Sequence, residues 1–375
     1  MSVPNLNYST IIVDLGSGII KAGFGGEDGP RCIFNSVVGI PKKLGMMVGM
    51  EQRERYVGEE AISKLEIMNF NSPIQRGEVV DWDKFETLLH FLFYSKMKIV
   101  PEEISILVTE TPLSSKLNRM KLAETLFETF NVERLHIANS SMLGLYSYGK
   151  TSGLVVDCGF NVTSTVPVYE GYPLSHASMK VNIGGEDISN NLLEMIKSNL
   201  DASFKGIKGR ILADDIKEKL GYLLLTKDDA GEEMDNEENE YTLPDGKNIK
   251  LNSELYKHCD ILFNPGESGN KSIKDCVLDS INKCDSGIKG DIKENICLTG
   301  GTTLLKNFPE KLKNEISDSS EGSNFNMSDV PERQFSSWIG GSIVASLDNF
   351  QYMWVTKQSY DESGKKLEAI DSKCF

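Results

Sequence analysis

Positive charge is scarce in this chain. Lys and Arg together number 40 against 55 Asp and Glu, which gives a formal net charge of −15 at neutral pH. Such a balance disfavours nucleic acid and anionic membrane surfaces as partners, because both repel a strongly acidic protein. We therefore expect protein partners with basic surfaces and no nucleic acid.

Paired cysteines and long apolar runs are also missing. The seven cysteines never occur in a Cys-x-x-Cys spacing and no secretory signal precedes them, so free thiols in a reducing compartment are predicted. Cys32, Cys276, Cys284 and Cys297 lie in apolar sequence and are predicted to be buried, and Cys374 to be exposed. No apolar stretch reaches the length of a membrane span. We expect a cytoplasmic protein without membrane insertion, and nuclear residence stays open.

What the chain does have is a pair of similar glycine turns. Residues 14–18 read Asp-Leu-Gly-Ser-Gly and residues 157–161 read Asp-Cys-Gly-Phe-Asn, and each turn lies between two apolar, β-branched runs. This pattern predicts a strand, a tight turn and a second strand. Glycine turns expose backbone N–H groups at close range, and such concave donor arrays bind anions. Lys21 adds a charge suited to phosphate, and the two aspartates suit a hydrated Mg²⁺.

A third glycine turn joins these two. Residues 298–303 read Leu-Thr-Gly-Gly-Thr-Thr, again a strand end followed by glycines that let a nucleoside approach the backbone. Taken singly, each turn is better explained as an ordinary chain reversal, since glycine dominates turns for backbone reasons. Taken together, the near-repeat and the third turn predict a duplicated fold that holds the phosphates of a nucleotide between its halves.

Strand and helix patterns alternate along the chain. Residues 104–108 read as a short buried strand, and residues 118–130 carry apolar side chains at helical spacing. The alternation predicts a mostly parallel sheet covered by helices. One half is placed at residues 1–147 plus 335–375, with a small subdomain at about 36–75. The other half is placed at residues 148–334, with a small subdomain at about 185–275.

Longer stretches of the chain are similar to actin. They are residues 19–26, 41–56, 128–131, 165–172, 215–220, 300–303, 338–347 and 373–375, so the resemblance covers essentially the whole chain. It implies the actin/sugar-kinase/chaperone-ATPase fold, an α/β architecture of two related halves around a nucleotide cleft. It also implies a cytoskeletal protein that binds Mg-ATP or Mg-ADP and assembles with itself or with other actin-family subunits.

The resemblance assigns residues to the nucleotide site. It implies that Asp14 and Asp157 hold Mg²⁺ through water and serve the hydrolytic reaction. The nucleotide-contacting positions that it implies are Gly16, Ser17, Gly18, Lys21, Gly159, Asn161, Val162, Gly185, Lys217, Glu218, Gly300, Gly301 and Thr302. For Lys217 and Glu218, an exposed helical charge pair is the interpretation that the sequence alone favours.

The chain departs from the family at residues that serve the reaction. Ser140 and Ser164 stand at the places where actins carry a water-positioning glutamine and histidine. Leu15, Phe160 and Asn161 also differ from the turn residues of the family. Loss of a water-positioning group costs orders of magnitude in phosphoryl-transfer rate. We expect a site that holds a nucleotide and hydrolyses it slowly.

The nucleoside side is altered as well. Asp214 and Gln334 stand where the family carries basic residues, and Leu305 stands where it carries an aromatic one. Both charge changes disfavour an anionic ligand. The free energy of ATP binding is therefore expected to weaken by more than about 1 kcal/mol, the worth of one charge-assisted hydrogen bond.

Two regions relevant to assembly give opposite indications. Residues 41–50 keep the Gly/Met loop that in actin inserts into the next subunit, and the apolar cleft at Tyr146, Ile339 and Leu347 that receives it or regulatory helices is also kept. Residues 266–270, Gly-Glu-Ser-Gly-Asn, replace an apolar plug between filament strands and lose apolar contact area. Limited self-assembly is expected.

The acidic stretch 228–240 and the polar stretch 317–328 are predicted to be surface loops.

The sequence thus predicts a divergent actin-like protein with weak or slow ATP hydrolysis and limited self-assembly. A conventional polymerising ATPase and a non-polymerising actin-related scaffold subunit are the alternatives. Sugar-kinase activity is disfavoured, because no sugar-site pattern is visible and a shared fold does not fix function. Filament formation on addition of Mg-ATP, together with phosphate release, distinguishes these functions.

Overall fold

The computed structural model describes residues 9–42, 53–200, 206–225, 240–266, 269–319, 325–364 and 370. The chain divides into two compact units. Unit 1 comprises Met1–Ser152, Val168–Ser175 and Phe335–Phe375, and unit 2 comprises Gly153–Pro167 and His176–Gln334. The small subdomains at 36–75 and 185–275 stay a prediction.

Strands and helices alternate through both units. The strands are β1 (Ser9–Leu15), β2 (Ile19–Phe24), β3 (Cys32–Asn35), β4 (Val38–Pro41), β5 (Tyr56–Val57), β6 (Met68–Asn71), β7 (Ile74–Gln75), β8 (Glu78–Val79), β9 (Ile104–Glu110), β10 (Arg134–Asn139), β11 (Gly153–Cys158), β12 (Thr163–Tyr169), β13 (Tyr172–Pro173), β14 (Met179–Val181), β15 (Glu240–Thr242), β16 (Asn248–Lys250), β17 (Ile296–Thr299), β18 (Met327–Ser328) and β19 (Val355–Thr356). The α-helices are Glu59–Ile62, Trp82–His90, Lys116–Glu124, Ser140–Ser147, Gly185–Ile196, Ile207–Leu220, Glu254–Lys257, Ile273–Lys283, Lys289–Glu294, Phe308–Asp318, Ser336–Ala345 and Lys357–Glu362.

Unit 1 is built on a six-stranded mixed sheet in the order β19-β10-β9-β1-β2-β3. β1, β9 and β10 run parallel to one another, and β2, β3 and β19 are added antiparallel. Every residue of β9 is buried, as expected for a central strand covered on both faces. β1 and β2 form the first predicted hairpin, in a register that places Asp14 opposite Lys21.

Unit 2 repeats this layout. β11 and β12 form the second predicted hairpin, β14 pairs antiparallel with β12, and β17 and β18 extend the sheet in parallel from β11. The arrangement β14-β12-β11-β17-β18 therefore corresponds to β3-β2-β1-β9-β10 of unit 1. β12 runs on to Tyr169, and its last residues pair with β13.

Two apolar clusters hold unit 1 together, one on each face of its sheet. Ile11 and Val13 of β1 join a cluster with residues of the helices Trp82–His90 and Lys116–Glu124. Ile12, which lies between them, joins the opposite cluster with Trp338, because successive strand residues point to opposite faces. The sheet is therefore a central layer between two sets of helices.

Close packing fixes the helices on the second of these faces. Helices Ser140–Ser147 and Ser336–Ala345 approach so closely that a Cβ on Gly340 would lie 1.8 Å from the Leu143 carbonyl oxygen. Trp338 is fully buried and donates its Nε1–H to a carbonyl of β1 at 3.2 Å. This packing fixes the orientation of the helix whose first residue is Ser140.

Three expectations from the sequence are corrected. The sheets are mixed rather than mostly parallel, because each hairpin adds antiparallel strands. The single helix expected at 118–130 is Lys116–Glu124 followed by a π-helical turn at Thr125–Thr129. The loop expected at 317–328 is partly regular, since the helix Phe308–Asp318 runs into it and β18 forms near its end.

Other expectations are confirmed or fall outside the described residues. The strand predicted at 104–108 is β9, and the four cysteines predicted to be buried are buried. Cys374, residues 43–50 of the Gly/Met loop and residues 228–239 of the acidic stretch lie outside the described part of the chain. Across the described ranges, no helix has the length and apolar character that crossing a membrane requires.

Candidate functional site

The first hairpin turns directly after Asp14, at the end of β1. The buried Asp14 carboxylate accepts hydrogen bonds from Thr109 Oγ1 at 2.7 Å and from Lys21 Nζ at 2.8 Å. Thr109 lies on β9, the parallel neighbour of β1. A Cβ on Gly16 would lie 2.3 Å from the Ile19 carbonyl oxygen, so this position requires glycine. Asp14, Gly16 and Lys21 therefore belong to one hairpin, in which Lys21 compensates the charge of Asp14.

Ser17 and Gly18 complete this turn. The Gly18 carbonyl accepts the Ser36 N–H at 2.9 Å, and the Ser17 carbonyl accepts Ser72 Oγ at 3.4 Å. Both turn residues are half-buried. The turn is thus anchored to unit 1 through its carbonyl oxygens.

The second hairpin has the same construction. Thr299 Oγ1, at the end of β17, donates to Asp157 Oδ1 at 3.1 Å. The parallel neighbour β17 places Thr299 beside Asp157, just as β9 places a threonine beside the aspartate of the first hairpin. The Gly159 N–H closes the turn by donating to the Val162 carbonyl at 2.9 Å. Sequence reasoning missed both threonines, because their role depends on which strands pair.

The third glycine turn packs onto the second hairpin. Gly300 has a φ of +88°, and a Cβ there would lie 2.3 Å from the Cys158 carbonyl oxygen and 2.6 Å from Asp157 Oδ1. Thr302 Oγ1 donates to the Gly159 carbonyl at 2.9 Å, and Gly301 between them is exposed. Unit 2 therefore brings two of the predicted glycine turns into direct contact.

Gly185 and Lys217 join the same group of residues. The Gly185 N–H donates to the Gly159 carbonyl at 3.0 Å, and the Gly185 carbonyl accepts Lys217 Nζ at 3.1 Å. The same ammonium donates to Ser189 Oγ at 2.8 Å and to Asp214 Oδ1 at 3.0 Å. The Lys217 ammonium thus donates three hydrogen bonds to acceptors within unit 2. One of these acceptors, Asp214, carries the opposite charge.

Lys217 and its neighbour Glu218 have different environments. Lys217 is 6% exposed, so the interpretation as an exposed helical charge pair is wrong for this residue. Glu218 is exposed, as that interpretation requires. Burial of the lysine follows from the packing of helix Ile207–Leu220 on helix Gly185–Ile196, which the sequence does not reveal.

The two serines at the predicted water-positioning places lie in different units. Ser140 begins a helix that is capped by Asn139, and its carbonyl accepts Ser337 Oγ at 3.0 Å. Ser164 lies in β12, is 2% exposed, and its hydroxyl has no hydrogen-bond partner within the described ranges. Each hydroxyl is attached directly to Cβ, so neither side chain extends as far as glutamine or histidine does.

The aspartates suit a hydrated metal ion better than a caged one. No group of three or more His, Cys, Asp or Glu side chains in the described ranges is arranged to hold a metal. Asp14 and Asp157 instead lie at strand ends, each oriented by a threonine hydroxyl. Because Mg²⁺ keeps several waters and takes one or two carboxylates plus phosphate oxygens, each carboxylate by itself suits an ion that arrives with a nucleotide.

A comparison with known protein families assigns the chain. The Actin family model matches residues 5–375, which is nearly the whole of the 375-residue sequence. This chain belongs to the actin family. The mixed α/β sheets of the two units agree with the actin-like fold. Proteins of this family generally bind a nucleotide with a divalent metal ion, and actin-family subunits are their expected partners.

The residues that depart from the actin pattern on the nucleoside side occupy packed positions. Leu305 is buried, and its Cδ2 would lie 3.3 Å from a Cβ on Gly221. Gln334 is half-buried. Arg333, next to it, donates from Nε and Nη2 to the side chain and carbonyl of Thr303 at 3.0 and 2.9 Å. The Arg333 side chain thus stabilises the third glycine turn through its hydrogen bonds to Thr303.

The residues expected to receive actin-family partners lie in unit 1, and their role in binding partners stays a prediction. Ile343 and Leu347 are 44% and 55% exposed. Tyr146 and Ile339 are half-buried against the Trp338 cluster. Burial raises the pKa of the Tyr146 hydroxyl, so this side chain is neutral at physiological pH. Tyr146 and Ile339 therefore pack on one apolar cluster, and Leu347 is an exposed apolar residue of the same unit.

The segment at the place of the actin plug has a different character. Gly266 and Gly269 are exposed and have φ values of +60° and +72°, a left-handed conformation that favours glycine. Within the described ranges, and apart from the chain neighbours, no atom lies within 4 Å of a Cβ added at either position. Glu267 and Ser268 lie outside the described residues. The described part of the segment offers no apolar side chain for a neighbouring subunit.

Proposed function

We propose that this protein is a divergent actin-family protein that holds Mg-ATP or Mg-ADP as a conformational ligand. The observation that carries the proposal is the repeated hairpin, in which a threonine of the parallel neighbour orients the aspartate before a glycine turn in each unit. A second support is the meeting of residues 157–162, 185 and 300–302 in unit 2.

Each of these groups has a defined task in this proposal. Asp14 and Asp157 orient water molecules around the metal ion, and the glycine turns admit phosphate oxygens where a Cβ would block them. When bound, Mg²⁺ neutralises the charge of the phosphates. Lys21 and Lys217 lend positive charge, although Asp14 and Asp214 compensate each of them. Affinity for the nucleotide is therefore lower than two uncompensated lysines would give.

Hydrolysis is slow in this proposal. Water positioning requires a side chain that reaches the attacking water, and the short hydroxyls of Ser140 and Ser164 replace the longer groups of actins. The main effect of the ligand is then mass-action stabilisation of the folded protein, which needs no turnover.

Self-assembly is limited in this proposal. The apolar surface around Leu347 supports contacts with actin-family subunits, whereas the segment from Gly266 to Asn270 lacks the apolar side chains of a plug. Head-to-tail contacts propagate openly, so one weak interface shortens a polymer strongly. Sedimentation of the purified protein with Mg-ATP should yield short or unstable oligomers, and long filaments in electron micrographs would contradict this part.

Titration calorimetry tests the central claim of nucleotide binding. The intact protein should bind Mg-ADP below millimolar concentration, and Asp157→Asn should weaken that binding at least about tenfold by removing a charge that organises the metal hydration shell. Asp285→Asn, an equal charge change at an exposed site of unit 2, is the matched control and should change nothing. Absence of nucleotide binding by the intact protein would refute the proposal.

A further inference from the structure

The second hairpin carries two residues, Phe160 and Asn161, that are bulkier than a glycine turn requires. Asn161 is 4% exposed, and its side-chain amide donates to the Glu186 carboxylate. Glu186 also forms an ion pair with Arg210, with 2.5 Å between Oε1 and Nη1. The Arg210 guanidinium carbon lies 5.7 Å from the centre of the Phe160 ring. We name this group the Glu186 clamp: Phe160, Asn161, Glu186 and Arg210.

Backbone hydrogen bonds run alongside the clamp. The Glu186 N–H donates to the Phe160 carbonyl at 2.7 Å, and the neighbouring Gly185 N–H donates to the Gly159 carbonyl. The first amides of helix Gly185–Ile196 are therefore bound to the carbonyls of the turn. Glu186 is also favourably placed in the first turn of this helix, where the helix dipole stabilises negative charge.

These contacts come from three separate segments of unit 2. Glu186 lies on helix Gly185–Ile196, Arg210 lies on helix Ile207–Leu220, and the turn itself follows β11. The side-chain contacts and the backbone hydrogen bonds join the turn to both helices, so they restrict the conformation of residues 159–161. A turn held in this way loses little conformational freedom when it accepts a phosphate.

We infer that Glu186 and Arg210 are positioning residues that keep the second phosphate turn in its binding conformation before a nucleotide arrives. This inference rests on the proposed function for its ligand and on the contacts of the clamp for its structural part. It makes two measurable statements: the turn is protected from opening in the free protein, and a bound nucleotide leaves slowly because of that protection.

The test uses a charge-neutral double variant, Glu186→Ala with Arg210→Ala. The matched control is Glu194→Ala with Lys197→Ala, which removes an exposed ion pair at the far end of the same helix and likewise leaves the net charge unchanged. Hydrogen exchange of the peptide covering residues 159–163 in the nucleotide-free protein should accelerate on the order of tenfold in the first variant only. Release of a fluorescent ADP analogue should become several-fold faster in the same variant.

Asn161→Ala provides a second route to the same result. It should reproduce the faster exchange, and its effect should not add to that of the double variant, because both remove one group of contacts. Equal exchange rates and equal release rates in the double variant and its control would overturn the inference. An intact protein that binds no Mg-ADP would refute the proposed function, and the exchange rates would still decide whether the clamp holds the turn.

Discussion

At the scale of single residues, Asp214 compensates the positive charge of Lys217. The ammonium is buried and bonds to Asp214, Ser189 and the Gly185 carbonyl. A compensated lysine attracts an anionic ligand less strongly than an uncompensated one does. Asp214 thus reduces the contribution of Lys217 to nucleotide binding and supports the folded state of unit 2.

Asp214→Asn should separate these two effects. Loss of the opposite charge should raise Mg-ADP affinity several-fold, on the order of 1 kcal/mol. It should also lower the free energy of unfolding by about 1–2 kcal/mol, because a buried ammonium loses its charged acceptor. Calorimetry and denaturant unfolding measure the two changes. Asp215→Asn is the control, since Asp215 pairs with the exposed Lys219. Equal gains in affinity for both variants would show that Lys217 has no special role.

Restoring longer side chains at Ser140 and Ser164 should raise hydrolysis. Ser140→Gln with Ser164→His is expected to increase phosphate release by at least about tenfold, because a positioned water lowers the barrier to phosphoryl transfer. Release of inorganic phosphate in single-turnover assays measures the effect. Rapid release by the unmodified protein would contradict it.

Sequence reasoning located residues of the site more easily than their supports. Asp14 and Asp157 are visible because an aspartate and a glycine recur after apolar runs. Thr109 and Thr299 are not, because a threonine at a strand end acquires its role only when the parallel partner is known. The contact between Glu186 and Asn161 depends on where helix Gly185–Ile196 packs, and no local sequence pattern reveals that position.

At the scale of elements, the close crossing of helices Ser140–Ser147 and Ser336–Ala345 depends on one glycine. Gly340→Ala would place a methyl group 1.8 Å from the Leu143 carbonyl oxygen, so the helices must separate. The free energy of unfolding should fall by about 1–3 kcal/mol. Gly290→Ala is the matched control, because Gly290 is also helical and a Cβ there meets no atom within 4 Å. It should be neutral or slightly stabilising. Similar thermal unfolding of both variants would show that the crossing is not tight.

Element types were easier to predict than their details. Apolar spacing at 118–130 correctly indicates a helix, yet it does not distinguish an α-helix from the π-helical turn that ends it. Both hairpins follow from glycine turns between β-branched runs. The antiparallel additions that make the sheets mixed depend on long-range pairing, which hydrophobic periodicity does not specify.

At the scale of the whole molecule, two buried histidines link stability to pH. His136 lies in unit 1 and His258 in unit 2, and burial lowers the pKa of each to about 4. Lys217 adds a smaller charge repulsion at His258. Because these folded-state pKa values lie below the unfolded value, the neutral forms stabilise the protein at pH 7, and that stability is lost as the pH falls through 6.5 towards 4.

Unfolding free energy should therefore fall by about 2 kcal/mol per histidine between pH 7 and pH 5. Denaturant unfolding at the two pH values measures this loss. His136→Gln and His258→Gln should each reduce the difference between the two pH values, whatever their effect at pH 7. A difference that persists unchanged in both variants would show that other groups cause it.

The matching Thr–Asp hydrogen bonds also record ancestry. Two units with the same strand order, the same threonine donor and the same aspartate before a glycine turn are most simply inherited from one duplicated gene. The two turns differ, because the first has Gly18 where the second has Asn161. The second turn thus carries a side chain that ties it to a helix of its own unit.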